Sequence, residues 1–141
     1  MKFIYTIIIF CVATTLHAQE NEMPIQISAQ NSTVKAYFKD NHKPDTLLLK
    51  MNKKEEGKLV IMYANTKSEN NLKRYFTITD KNNQPLKLFF LSRIVGITHI
   101  LLNDFFKQAQ AGNFYNLYCT ISTEDGKETK QFLLCTIKLN K

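Results

Sequence analysis

Eight short runs of β-branched, aromatic and leucine side chains, separated by gaps rich in Ser, Asn and Lys, restrict this chain to an all-β fold. The runs occupy 25–29, 46–51, 58–65, 74–79, 86–92, 96–102, 114–122 and 130–139. Turn chemistry fills the gaps at 41–44, 52–57, 67–71 and 80–85, where Asn, Asp, Gly and Pro collect. Strands at this spacing predict one antiparallel β-sandwich of about seven to eight strands. Neither a repeat nor a low-complexity segment divides the chain, so residues 19–141 are expected to form a single domain.

One segment departs from the strand pattern. Phe105, Phe106 and Ala109 share a helical face, which predicts a short helix near 104–110. Asn103 or Asp104 is expected to cap its first turn, and Gly112 to stop it. The two phenylalanines are expected to plug the open end of the sandwich.

The final hairpin carries the sharpest local signal. Thr123-Glu124-Asp125-Gly126-Lys127 suits a three-residue loop with Gly126 left-handed in a bulge. Thr123 then pairs with Lys127, and Leu117, Cys119, Ile121, Leu133, Cys135 and Ile137 fall on one face. In that register Cys119 faces Gln131, so Cys135 lies four residues further along, roughly 13 Å away at 3.3 Å per residue. A disulfide needs Cα atoms within about 7 Å. Free, buried thiols at Cys119 and Cys135 are therefore expected ahead of a disulfide. A longer loop pairing Thr123 with Gln131 would set the two cysteines face to face and allow the bridge.

The N-terminus has the three-part order of a cleavable signal peptide over residues 1–18. Met1-Lys2 gives the positive start, an Ile-rich apolar run extends through Val12, and Leu16-His17-Ala18 offers a cleavage site before Gln19. The apolar run is short of the about 20 residues a spanning helix needs. Phe10, rather than a small residue, precedes Cys11, so Cys11 reads as part of the apolar run and not as a lipid-attachment cysteine. A secreted or periplasmic, cell-envelope location follows, with no transmembrane segment after processing.

The segment Ala111-Gly112-Asn113-Phe114-Tyr115-Asn116-Leu117-Tyr118-Cys119 resembles the approach to strand F of immunoglobulin-like and fibronectin type III-like domains. Phe76-Thr77-Ile78-Thr79-Asp80, followed by Pro85-Leu86, is similar to their middle strands. The resemblance implies an immunoglobulin-like sandwich architecture and no particular activity. It lacks the strand-C Trp of antibody domains, and its cysteines fall on strands F and G instead of B and F.

Candidate chemistry is sparse. After loss of the leader only His42 and His99 remain, and neither has a second His or Cys at ligand spacing, so no metal site and no cofactor are expected. Asp40, Asp45, Asp80 and Asp104 lie in or beside turns, which accounts for them without glycosidase chemistry. No Ser sits in a nucleophile elbow and no Gly-rich loop follows a strand. The net charge of +7 comes from scattered lysines rather than a stripe, which gives no expectation of nucleic-acid binding.

These observations lead to an exported, non-catalytic β-sandwich that acts by protein–protein contact as an accessory or structural part of a cell-envelope assembly. A binding module for glycans or anionic envelope polymers is the first alternative, with Tyr37, Phe38, Tyr63 and Tyr75 as candidate ligand-contact aromatics. A small secreted hydrolase or inhibitor is the second.

Overall fold

The computed structural model describes residues 24–39, 43–63, 72–92 and 96–141. The expected leader over 1–18 and the turn at 67–71 lie outside the described residues. Within them the runs become nine strands and one helix. These are β1 (Ile25–Ala29), β2 (Ser32–Ala36), β3 (Asp45–Lys50), β4 (Lys58–Met62), β5 (Lys73–Thr79), β6 (Pro85–Ser92), β7 (Ile97–Leu101), α1 (Leu102–Gln108), β8 (Phe114–Ser122) and β9 (Thr129–Asn140). All eight expected strands are present. The additional strand is β2, joined to β1 by a two-residue turn in which Gln30 takes a φ of 51°.

Two sheets pack face to face. One has the order β2-β1-β4-β7 and the other β3-β9-β8-β5-β6. Pairing is antiparallel except between β3 and β9, which run parallel with Asp45 beside Cys135 and Lys50 beside Asn140. Period-two alternation sends one side of each strand inward. Ile25, Ile27, Leu59, Ile61 and Ile100 from the first sheet meet Leu47, Leu49, Phe76, Ile78, Leu117 and Ile137 from the second.

The two long sides of the sandwich differ. Along one, side chains stitch β2 to β3. Lys50 N–H donates to Gln30 Oε1 at 2.9 Å, Gln30 Nε2 donates to the Lys50 carbonyl at 2.8 Å, and Leu48 N–H donates to Ser32 Oγ at 3.3 Å. Along the other, β6 and β7 are the terminal strands of their sheets.

The helix closes one end as expected, with Leu102, Phe105 and Phe106 fully buried. Its caps are not those expected. β7 runs straight into α1, and Leu102 N–H donates to the Gly57 carbonyl at 3.0 Å, extending the β4–β7 pairing. That bond satisfies one of the first-turn donors that have no partner within the helix. Asn103 and Asp104 therefore lie within the first turn and make no cap. The helix ends at Gln108, before Gly112, whose φ of +87° serves the following turn into β8.

The last hairpin also differs from expectation. Thr123 N–H donates to the Glu128 carbonyl and Gly126 N–H to the Thr123 carbonyl, so the loop is one residue longer. Gly126 is left-handed at φ +71°, as expected. The longer loop sets Cys119 opposite Phe132, not Gln131. A register shift between Leu117 and Tyr118 then pairs Leu117 with Cys135 and Tyr115 with Ile137. Phe132 takes the inward place expected for Leu133, and one extra residue in β9 restores Cys135, Ile137 and Leu139 to the core.

Candidate functional site

The strand order decides which apolar residues lack cover. β7 ends its sheet, and its outward side chains Ile97, His99 and Leu101 are exposed, Ile97 by 63% and Leu101 by 43%. The register sets Ile97 against Met62, His99 against Val60 and Leu101 against Lys58 on β4. Ile97, Met62, Val60 and Leu101 thus form one outward apolar patch around His99. Further in, Met62 pairs with Gln26 and Val60 with Ser28 on β1, and Lys35 and Thr33 follow on β2. The outer face of this sheet therefore carries Lys35 and Lys58, and no carboxylate among the described residues.

Exposed terminal strands ordinarily carry Lys, Pro or a bulge, because their free N–H and C=O groups otherwise recruit another strand. β2 carries Lys35 and is stitched to β3. β7 reads Ile-Thr-His-Ile-Leu, with no lysine, proline or register shift. It therefore offers a neighbouring chain backbone hydrogen bonds together with an apolar row.

The four candidate aromatics are split up by the fold. Tyr37 and Phe38 follow β2 and are half-buried. Phe38 meets Phe132 edge-on at 5.6 Å between ring centroids, and buried Tyr63 lies 5.9 Å from Phe76. Between Phe38 and Tyr63 sits Arg74, only 3% exposed, its guanidinium 5.8 Å and 5.1 Å from the two ring centroids. Facing aromatic rings suit a guanidinium, which is weakly hydrated and attracted to the π-faces. Tyr75 lies on the opposite face of β5 and is half-buried. Phe38 and Tyr63 thus enclose Arg74, and the four rings form no common exposed row.

Cys119 and Cys135 are free and fully buried. Because Cys135 pairs with Leu117, two residues from Cys119, the cysteines are diagonal neighbours rather than four residues apart. Diagonal positions in a regular ladder are about 7–8 Å apart, at the outer limit of disulfide reach. Burial pushes the Cys119 thiol up to about 12, against the opposing pull of the Arg74 charge. Burial, with the Asp45 carboxylate adding to it, pushes Cys135 up to about 12 as well. Thiols this far from ionisation behave as small apolar side chains and not as nucleophiles.

His42 lies outside the described residues. His99 stands exposed among the apolar residues of β7. No group of three His, Cys, Asp or Glu side chains among the described residues converges to hold a metal ion. No helix among them is long and apolar enough to cross a membrane. The outward row of β7 was missed in the sequence because the run containing it looks like any other strand until its neighbours are known.

No family model matches this chain, and no curated protein matches it.

Proposed function

We propose that this protein is an exported, non-catalytic immunoglobulin-like domain that acts by protein–protein contact, as an accessory or structural part of a cell-envelope assembly. The observation that carries the contact reading is the unguarded β7 strand with its outward Ile97, Leu101, Met62 and Val60 patch. The proposed partner contributes an extended segment that adds to β7, with alternate apolar residues over the patch and acidic residues near Lys35 and Lys58. Main-chain bonds supply affinity in such strand addition, and the alternating side chains supply specificity.

The immunoglobulin-like assignment is supported by connectivity and by one tyrosine. β5 and β6 form a hairpin beside β8, α1 joins β7 to β8 across the sheets, and β3 runs parallel to β9. Tyr115, near the start of β8, accepts a 2.8 Å hydrogen bond at its hydroxyl from the Gln110 backbone N–H. A tyrosine near the start of strand F bonded to backbone a few residues upstream is the corner that marks many such sandwiches. Export rests on the leader sequence alone, and cleavage after Ala18 predicts Gln19 as the first residue of the mature protein.

The test uses Ile97→Lys/Leu101→Lys, which places two charges on the open strand. Cross-linking in the native envelope fraction should capture a partner with the native protein and lose it with the variant. Amide exchange should slow along β7 when that partner is bound. Capture undiminished in a folded variant would refute β7 as the docking strand. A mature protein retaining Met1–Ala18 would refute export by cleavage.

A further inference from the structure

A recess of about 320 Å³ lies where the β5–β6 turn approaches the segment linking α1 to β8. Its walls carry the amides of Gln108, Gln110 and Asn113, the Asp80 carboxylate and the Phe114 ring, with Tyr115 behind them. The volume is at the small end of ligand pockets, which run from roughly 300 to 1,000 Å³.

Several of these groups are held before any ligand arrives. Asp80 Oδ1 accepts the backbone N–H groups of Asn82 and Gln84 at 2.8 and 2.9 Å, which fixes the carboxylate and leaves Oδ2. The turn on the facing wall is bonded to the end of β9: Gly112 N–H donates to the Leu139 carbonyl at 2.7 Å, and Leu139 N–H to the Asn113 carbonyl at 3.1 Å. Asn113 Nδ2 lies 3.4 Å from Gln110 Oε1, which leaves Gln110 Nε2 as a donor and Asn113 Oδ1 as an acceptor. Tyr115 is buried, and its hydroxyl already accepts from Gln110 N–H, so its own proton remains to be donated. Phe114 is 49% exposed, with Lys138 Nζ 5.6 Å from its ring centroid.

Fixed donors and acceptors beside an exposed ring match one ligand chemistry. Each hydroxyl of a sugar both donates and accepts, and the C–H face of a pyranose is apolar. The recess is lined by one carboxylate, Asp80, and one lysine, Lys81, and Lys138 beside the Phe114 ring adds a single further positive charge, so no cluster of like charges selects an ion. We propose that it binds a neutral saccharide of one or two rings, with Phe114 under the sugar face and Asp80, Gln110 and Asn113 on its hydroxyls. This site is separate from the β7 strand and does not depend on it.

The test is titration of the ¹⁵N-labelled protein with cellobiose, maltose and N,N′-diacetylchitobiose, each to about 20 mM, since a millimolar Kd corresponds to only about 4 kcal/mol. At least one sugar should produce saturable shifts confined to amides within 80–84 and 108–115. Phe114→Ala and Asp80→Asn should each weaken that binding about tenfold, the equivalent of 1.4 kcal/mol. Asn at 80 keeps the acceptor for the turn, so spectra of both variants should otherwise match the native protein. Saturation by none of the three sugars, saturation by sulfate instead, or unchanged affinity in Phe114→Ala would overturn the proposal. Ile97→Lys/Leu101→Lys should bind the sugar as the native protein does, so the two surfaces are tested apart.

Discussion

The buried thiols make the stability of this protein fall in alkali by an amount the structure sets. Cys119 and Cys135 have an ordinary value of 9.0 when unfolded and about 12 when folded. Below pH 9 both states hold both protons, and the thiols add no pH dependence. Above pH 9 the unfolded chain loses protons that the folded chain keeps, so the unfolded state gains free energy of ionisation. Stability is therefore complete below the unfolded value and drains away as pH rises toward 12. At pH 10 an unfolded thiol is about nine-tenths ionised, worth about 1.4 kcal/mol each and about 3 kcal/mol for the pair. That is a large part of the 5–15 kcal/mol a domain ordinarily has.

The assay is urea unfolding followed by circular dichroism at pH 7, 8, 9 and 10 under reductant, for the native protein and for Cys119→Ala/Cys135→Ala. Lysines and tyrosines titrate in both proteins, so their contribution cancels in the difference. The double variant should be less stable at pH 7, because two buried sulfurs are lost from the core. The gap should then close by about 3 kcal/mol at pH 10. A constant gap across this range would refute the reasoning, since it would mean that folding leaves the thiol equilibria unchanged. Alkylation at pH 8 adds a second readout: both thiols should resist modification until urea unfolds the chain.

Phe105→Ala should cost about 3–5 kcal/mol in urea unfolding, because the fully buried ring packs edge-on against Tyr115 at 5.3 Å, whereas Phe114→Ala should stay within about 0.5 kcal/mol because its ring is half exposed. Gln30→Ala removes both bonds to Lys50 and should cost about 1 kcal/mol, with faster amide exchange at Lys50 as the local readout. Gly126→Ala should cost about 1 kcal/mol through backbone conformation alone, since its φ is +71° and an added Cβ meets nothing within 4 Å; equal stability would refute the left-handed turn. Purified protein should hydrolyse no peptide, ester or common glycan, and an activity abolished by one Asp, Glu or His substitution would refute the non-catalytic reading.

The parts of the fold legible in the sequence were those coded by local alternation and turn chemistry. Each run with apolar residues two apart became a strand, and Phe105, Phe106 and Ala109 marked the helix. β2 escaped because Val34 and Ala36 are its only apolar residues and its turn uses Gln30 at a positive φ, where Gly or Asn would have signalled it. The hairpin register failed for a different reason. Phe132-Leu133-Leu134-Cys135 is apolar throughout, so it has no phase of its own. The loop bonds Thr123 to Glu128 and starts β9 with Phe132 inward, and the extra residue then shifts the phase so that Ile137 and Leu139 also point inward. Alternation within each segment was right; the phase between segments depends on the loop and the partner strand together.

The same division explains why the candidate aromatics misdirected the search for a surface. Aromatic residues announce their type in the sequence but not their side of the sheet. Half-buried Phe38 and buried Tyr63 pack about Arg74 on the buried side of β5, with its guanidinium 5.8 Å and 5.1 Å from their ring centroids. Exposure at β7 is likewise a property of strand order. Ile97 and Leu101 would be ordinary interior residues if another strand followed β7 and a further layer covered that face. They stay uncovered because they point to the outer face of the sheet, and the backbone edge beside them is open because β4 pairs with β1 on one side and β7 on the other, where the sheet ends. That ordering arises from residues distant in the chain, such as Lys58 against Leu101 and Gln26 against Met62. A surface created by long-range pairing has no local signature, so β7 was readable as a strand and became a candidate site only once its missing neighbour was visible.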